Sequence, residues 1–324
     1  MIHPFRWLAT AAAMALCAPL AAQAQTYPNR PVKIIVPTPA GGPVDVMARL
    51  VANQLSPALG QSVFIDNRGG AGNTLGSAEA ARATPDGYTL LYSSASGLVI
   101  APMLQKNAGY DPIKSYDPVA IVAATSNILV VHPSLPVKTP QELVAYAKAN
   151  PGKVNFSSGG IGTLPHLIGE YFKSRGGIDV VHVPYRGGGP SIQDVVAGNI
   201  QYTFEGISVL LPLIQEGRLR ALAVTSPKRS PLVPELPTMM ESGFADFQST
   251  SWTGLLAPRG TSPDIIARLN SAVNTALQSP EMKVALDKLA GDALGGTPQE
   301  LTKVIEADIA KWAPIVKALN LQTD

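Results

Sequence analysis

Five short loops of glycine and serine, TPAGGP, RGGAGN, SSASG, SSGGIGT and RGGGPS, each follow a run of β-forming residues, and most of them open a helix. A chain punctuated this way folds as strands alternating with helices, which pack as α/β layers with mostly parallel strands. The expected strands are VKIIVP (32–37), SVFIDN (62–67), YTLLYSSASG (88–97), KVNFSS (153–158), DVVHVPY (179–185), IQYTFEG (200–206), LRALAVTS (219–226) and STSWTGLLAP (249–258). PVAIVAATSNILVVH (118–132) is long enough for two strands or one crossing strand, and the proline-dense segment 227–243 reads as a loop. Thr139, Pro140 and Glu142 form a capping box, Ser262-Pro263 and Thr297-Pro298-Gln299-Glu300 open further helices, and the chain ends in helices.

The glycine loops share a position. Ligands of open α/β sheets bind beyond the carboxyl ends of the strands. Three of these loops lie in the first third of the chain and two between 157 and 191, so two lobes would present them across a cleft. The loop at 157–163 leads into a helix in which Leu164, Leu167, Ile168, Tyr171 and Phe172 recur at the helical period, with Thr163 as N-cap and Pro165 in the first turn. Backbone N–H groups at such a helix start, backed by the helix dipole, bind an anion without a charged side chain. A plain strand-to-helix turn uses the same residues, so one loop alone does not decide between the two.

The first residues bear on where the chain works. Arg6 precedes an apolar run of about 16 residues ending in Ala22-Gln23-Ala24, the pattern of a secretory signal peptide cleaved after Ala24. Its removal takes Arg6 and Cys17, leaving 24 basic against 23 acidic residues and no thiol. Leu16 before Cys17 argues against lipid anchoring. At 46% hydrophobic and 15% charged, the chain is globular, and its charge balance gives no basic surface for nucleic acid.

Signals for chemistry are absent. The sequence has no G-x-S-x-G, S-x-x-K, H-E-x-x-H or Walker A pattern, and Gly70, Gly72 and Gly76 miss the dinucleotide spacing by one residue. His132 ends a strand, His166 sits on the polar side of a helix start and His182 lies within an apolar strand; they read as structural and do not have metal-site spacing. Asp45 and Arg49 form an i,i+4 pair, and Arg68 reads as an anchor for its glycine loop. Arg186 is suited to pairing a carboxylate, or equally to a solvated loop. Glu205 would repel an anion but suits an amino or hydroxyl group, while Tyr185 and Phe204 fit core and cleft wall alike.

VPTPAGGPVDVMAR, NRGGAGNTLGS, GGIGTLPHLIGEYF, VPYRGGGPSIQDVVAG, LRALAVTSPKRSPLVPELPTMMESG and WTGLLAPRGTSPDIIARLN, in that order, resemble the substrate-binding proteins of tripartite tricarboxylate transporters, the Bug or TctC family, over positions 27 to 320. The resemblance implies a two-lobed periplasmic binding-protein fold (type II, Venus-flytrap), with two crossing strands near 123–130 and 248–255. Lobe one would then be 25–126 plus 250–324, and lobe two 127–249. It implies a carboxylate held by backbone N–H groups and hydroxyls. The site falls on Thr38, Ala40, Gly41 and Gly42 from lobe one and Ser158, Gly160, Gly162 and Thr163 from lobe two. Ser93, Ser94, Ser96, Tyr185, Arg186 and Glu205 are weaker members of the same set. Arg186 stands where lysine is commoner in the family, and Asn73 interrupts a stretch that is usually richer in glycine.

The expectation is therefore a monomeric periplasmic receptor with no catalytic residue, metal or cofactor. It would bind a small organic carboxylate and deliver it to the membrane permease subunits of a tripartite tricarboxylate transporter. Two alternatives remain, an orphan sensor serving a membrane signalling partner and, from another class, a secreted hydrolase.

Overall fold

The computed structural model describes residues 27–289 and 291–321, so the expected export segment 1–24 lies outside the described residues. The elements in chain order are β1 (Val32–Val36), α1 (Pro43–Leu59), β2 (Val63–Asn67), α2 (Thr74–Ala81), β3 (Thr89–Ser94), α3 (Ala101–Leu104), β4 (Tyr116–Val131), α4 (Pro140–Ala149) and β5 (Asn155–Ser158). They continue as α5 (Leu164–Gly176), β6 (Val181–Pro184), α6 (Gly188–Val196), β7 (Tyr202–Gly206), α7 (Ile207–Gln215), β8 (Arg220–Val224), β9 (Thr250–Pro258), α8 (Pro263–Ala276), α9 (Pro280–Lys288), β10 (Gly291–Gly295) and α10 (Pro298–Ala318).

β4 resolves the long apolar run as one strand of 16 residues shared by two halves of the sheet. Its residues up to Ser126 pair with β9 and β10, and from Asn127 onward it pairs with β7 and β8. The change of partners falls between Ser126 and Asn127. β9 returns across the same junction, where Ser249 N–H donates to the Thr225 carbonyl just after β8. Away from the junction the strands are parallel, β2-β1-β3 in one half and β6-β5-β7 in the other. All the pairings of β4, and that of β3 with β9, are antiparallel. The mostly parallel sheet expected from alternation thus holds only at the wings, because a strand that returns through the junction must run against β4. β10 also departs from expectation. Its sequence, GDALG, carries no strand periodicity, and its pairing with β4 makes it a strand.

Helix ends follow local chemistry. The Thr163 and Thr297 side chains cap α5 and α10, and Gly177 closes α5 in the left-handed region. The 139–142 box forms with one change. Glu142 N–H donates to Thr139 Oγ1, but the Glu142 carboxylate accepts from Lys138 N–H, one residue earlier than a capping box requires.

Each half buries apolar side chains on both faces of its sheet. In the first half, Ile34, Tyr92 and Val122 meet Met47, Leu55 and Val273 on one side, and Ile35, Leu91 and Trp252 meet Leu301 and Ile305 on the other. In the second, Phe156, Phe172, Tyr202, Phe204 and Phe247 form an aromatic core, opposite a smaller cluster around Ile128, Val195 and Leu210. α10 serves both halves. Leu301 and Ile305 pack in the first, Trp312 and Val316 in the second, and Asp308 between them accepts a 2.7 Å hydrogen bond from Trp252 Nε1.

Candidate ligand-binding site

A cavity of about 750 Å³ opens where the halves meet. The first half contributes Asn73, Ser94, Ser96, Leu104 and Gln105, and the crossing strands contribute Thr125, Asn127, Ser251, Trp252 and Thr253. The second half contributes residues 161–165 together with Glu205, Gly206, Ser208 and Val209. The two sides come close at one point. A Cβ on Gly162, which sits at φ +79°, would lie 2.2 Å from Leu104 Cδ1, so only glycine fits there. Another depression, of about 770 Å³, lies away from the junction on the first half, where Lys33 and Glu79 in its wall form an ion pair.

Of the residues expected at the site, Ser94, Ser96, Gly162, Thr163 and Glu205 line this cavity. Thr38, Ala40, Gly41, Gly42, Ser93, Ser158, Gly160, Tyr185 and Arg186 are not in its wall. Gly41 N–H donates to Asp45 Oδ2, which also holds Arg49 at 3.0 Å, so the expected Asp45–Arg49 pair forms and ties down the first glycine loop. Gly42 is the N-cap residue of α1, and the Thr38 carbonyl accepts from Asn67. Ser93 is fully buried, and Ser158 Oγ is bonded to the His182 ring. The Tyr185 hydroxyl is bonded to Asp194, and Arg186 is exposed. Arg68 pairs with Asp66 at 3.0 Å beside its loop, as an anchor would.

Part of the loop at 157–163 spends its donors internally. Gly160 N–H donates to Ser158 Oγ, Gly162 N–H to His166 Nδ1, and both the N–H and hydroxyl of Thr163 to the Gly160 carbonyl. His166 is buried rather than on the polar side of its helix, with its ring 3.9 Å from that of His182. Burial lowers the His166 and His182 pKa values to about 4 and about 3, so both rings are neutral at pH 7 and brace the loop as uncharged groups.

Two other groups in the wall are better placed to receive a ligand. α7 begins at Gly206 with no side-chain cap, and Ser208 and Val209 of its first turn line the cavity. First-turn N–H groups have no acceptor within their own helix. Directly across the ladder from Gly206 stands Asn127, 4% exposed, whose Nδ2 has no hydrogen-bond partner among the described residues. A buried amide donor without an acceptor costs about 1–3 kcal/mol, and an acceptor in the cavity would remove that cost. Sequence reasoning passed over Asn127. The available signal was the polar triplet Thr125-Ser126-Asn127 interrupting an otherwise apolar strand, since polar residues are rarely placed in a buried strand without a partner.

The wall contains no lysine, arginine or histidine, and Glu205 is its one ionisable side chain among the described residues. Burial raises the Glu205 pKa from 4.5 to about 7, opposed only by a hydrogen bond from Gly206 N–H. No group of side chains able to hold a metal occurs among the described residues, and the Ser158–His182 contact, a hydroxyl beside a ring nitrogen at 2.7 Å, lies outside the cavity wall.

A two-part α/β sheet joined by crossing strands around a polar-edged cavity defines a periplasmic-type solute-binding protein. Residues 47–321 match the family described as the tripartite tricarboxylate transporter family receptor, TctC. The chain is 38% identical over 295 residues to protein BugT of Bordetella pertussis, covering 91% of this chain and 90% of that one. A solved periplasmic transporter is 39% identical, with a TM-score of 0.77 over 92% of this chain and all of the other. The structure of Rpa4515 from R. palustris with adipate is 35% identical, with a TM-score of 0.76 over 90% of this chain and 97% of that one. This chain belongs to the TctC family of tripartite tricarboxylate transporter receptors. It is a binding protein of that system, not an enzyme.

Proposed function

We propose that this protein captures a small organic carboxylate in the junction cavity and presents it to the membrane permease subunits of its transporter. The observation that carries this reading is the pairing of an uncapped helix start with the unpartnered Asn127 amide in a wall without cations. Neutral donors hold a carboxylate while leaving it free to depart, and micromolar binding requires only about 8 kcal/mol. The adipate held by the R. palustris relative supports the ligand class. The carboxylate lies at the α7 start and Asn127, with Ser94, Ser96 and Thr163 hydroxyls as further partners. We also propose that residues 1–24 are a signal peptide removed on export to the periplasm. In that arrangement the lobes are 25–126 plus 250–324, and 127–249, with the boundary supported by the partner change in β4.

A thermal-shift panel of acetate, hexanoate, benzoate, malate, adipate and citrate tests the ligand class. A ligand at 100 times its Kd should add about 2.7 kcal/mol of stability, and the effective acids should then titrate calorimetrically. Stabilisation by amines or sugars, with none by any of these acids, would show the reading to be wrong.

A further inference from the structure

The wall of the cavity poses an electrostatic problem that the proposed ligand sharpens. Glu205, next to last in β7, faces the same space as the α7 start and Asn127, and no cationic side chain among the described residues shares that wall. The carboxyl also lies beside the start of α6, where a Cβ built on Gly188 would be in ordinary contact at 3.4 Å from Glu205 Oε1.

No charge on the neighbouring elements compensates Glu205. The elements packed on β7 are β4, β5, α5, α6 and α7. β5 and α7 carry no charged residue, and the one on β4, Asp117, is bonded to Arg259, Gly260 and Thr261. On α5, His166 accepts from Gly162 N–H, Glu170 lies 4.0 Å from Lys173, and Arg175 donates to the Ala245 carbonyl. On α6, Asp194 accepts from Tyr185 and Asn199, and Arg186 in the loop before it is exposed. The Tyr202 hydroxyl, on β7 itself, is buried without a partner among the described residues and is un-ionised, its pKa raised further by burial.

Two carboxylates in one cavity without a cation repel, and such pairs are relieved by protonating one of them. We propose that Glu205 is the group that sets the charge accepted by the cavity: it enters the complex as the neutral acid, so that each bound carboxylate brings one proton from solvent into the protein. As the acid, Glu205 becomes an O–H donor facing the cavity, and the site as a whole gains no uncompensated second charge. This inference rests on the carboxylate reading above and names a residue that adjusts it.

The direction of the linkage is fixed by where the proton goes. With its free-state pKa near 7, Glu205 must be protonated at the cost of affinity at any higher pH. Titrations of wild-type protein with adipate, hexanoate and benzoate from pH 6 to 8.5 should show the Kd of each acid that binds rising roughly 30-fold. Titration at pH 8 in buffers of different ionisation enthalpy should show close to one proton taken up per ligand. Glu205→Gln keeps a neutral donor without the titration, so its Kd should vary little over this range and be tighter than wild type at pH 8.5. A pH-independent wild-type Kd, or one that falls as pH rises as it would for a ligand ammonium paired with Glu205, would overturn the proposal while leaving carboxylate binding intact. Absence of binding by all three acids at every pH would overturn the carboxylate reading on which it stands.

Discussion

Asn127→Ala and Ser208→Pro should each weaken carboxylate binding by roughly 10- to 100-fold. A hydrogen bond to a charged group contributes about 1.5–3 kcal/mol, and about 1.4 kcal/mol corresponds to one factor of ten. Asn127 Nδ2 has no partner among the described residues, so its removal takes away a buried unsatisfied donor. The ligand-free Asn127→Ala protein should therefore be no less stable than wild type, which separates a ligand contact from a structural one. Ser208 stands at the second helical position of α7, the position Pro165 already occupies in α5, so proline there removes an N–H without breaking the helix. Calorimetric titration with the best acid of the panel and urea denaturation of the free proteins test both statements. Wild-type affinity in both variants would move the carboxylate elsewhere in the cavity.

Phe172→Ala is expected to be the most damaging single truncation in the second half, at about 3–5 kcal/mol. Phe172 has no exposed surface, and its ring lies 5.3–6.2 Å from those of Tyr202, Phe204, Phe244 and Phe247. These aromatics come from α5, β7 and the segment before β9, so a void at Phe172 loosens the element behind the 157–163 loop as well as the core. Urea unfolding should show a large fall in midpoint, and binding should weaken secondarily. A loss below about 1 kcal/mol would mean that the cluster refills the space.

Such an effect would be read from the same residues that made α5 legible in the sequence. The apolar spacing of Leu164 to Phe172, the Thr163 cap and Pro165 describe a helix whatever surrounds it, because caps and periodicity act within a few residues. The Asp45–Arg49 pair and the starts of α8 and α10 were legible on the same grounds. The signature motifs, spread along most of the chain, carried the family. The order of strands about β4 was less accessible. β10 has no strand pattern of its own, and it exists because β4 has an open edge for it to join.

The candidate site lay at the limit of what local chemistry shows. The glycines of 157–163 and the uncapped start of α7 are both helix entries rich in N–H groups, and sequence alone ranks the first higher. In the folded chain the Gly160, Gly162 and Thr163 donors are taken by Ser158, His166 and the Gly160 carbonyl, a choice that depends on the stacking of two distant histidines. Asn127 shows the same division. Its position in a long apolar strand is visible as a polar interruption, but only the pairing of β4 with β7 brings it across from Gly206 and leaves its amide unpartnered at a cavity. Helix ends, turns and the family were determined by the sequence, since they rest on neighbours in the chain. Which donors stay free, and that Glu205 has no cation beside it, were decided by the tertiary structure, because those properties depend on which distant groups are brought within hydrogen-bonding reach.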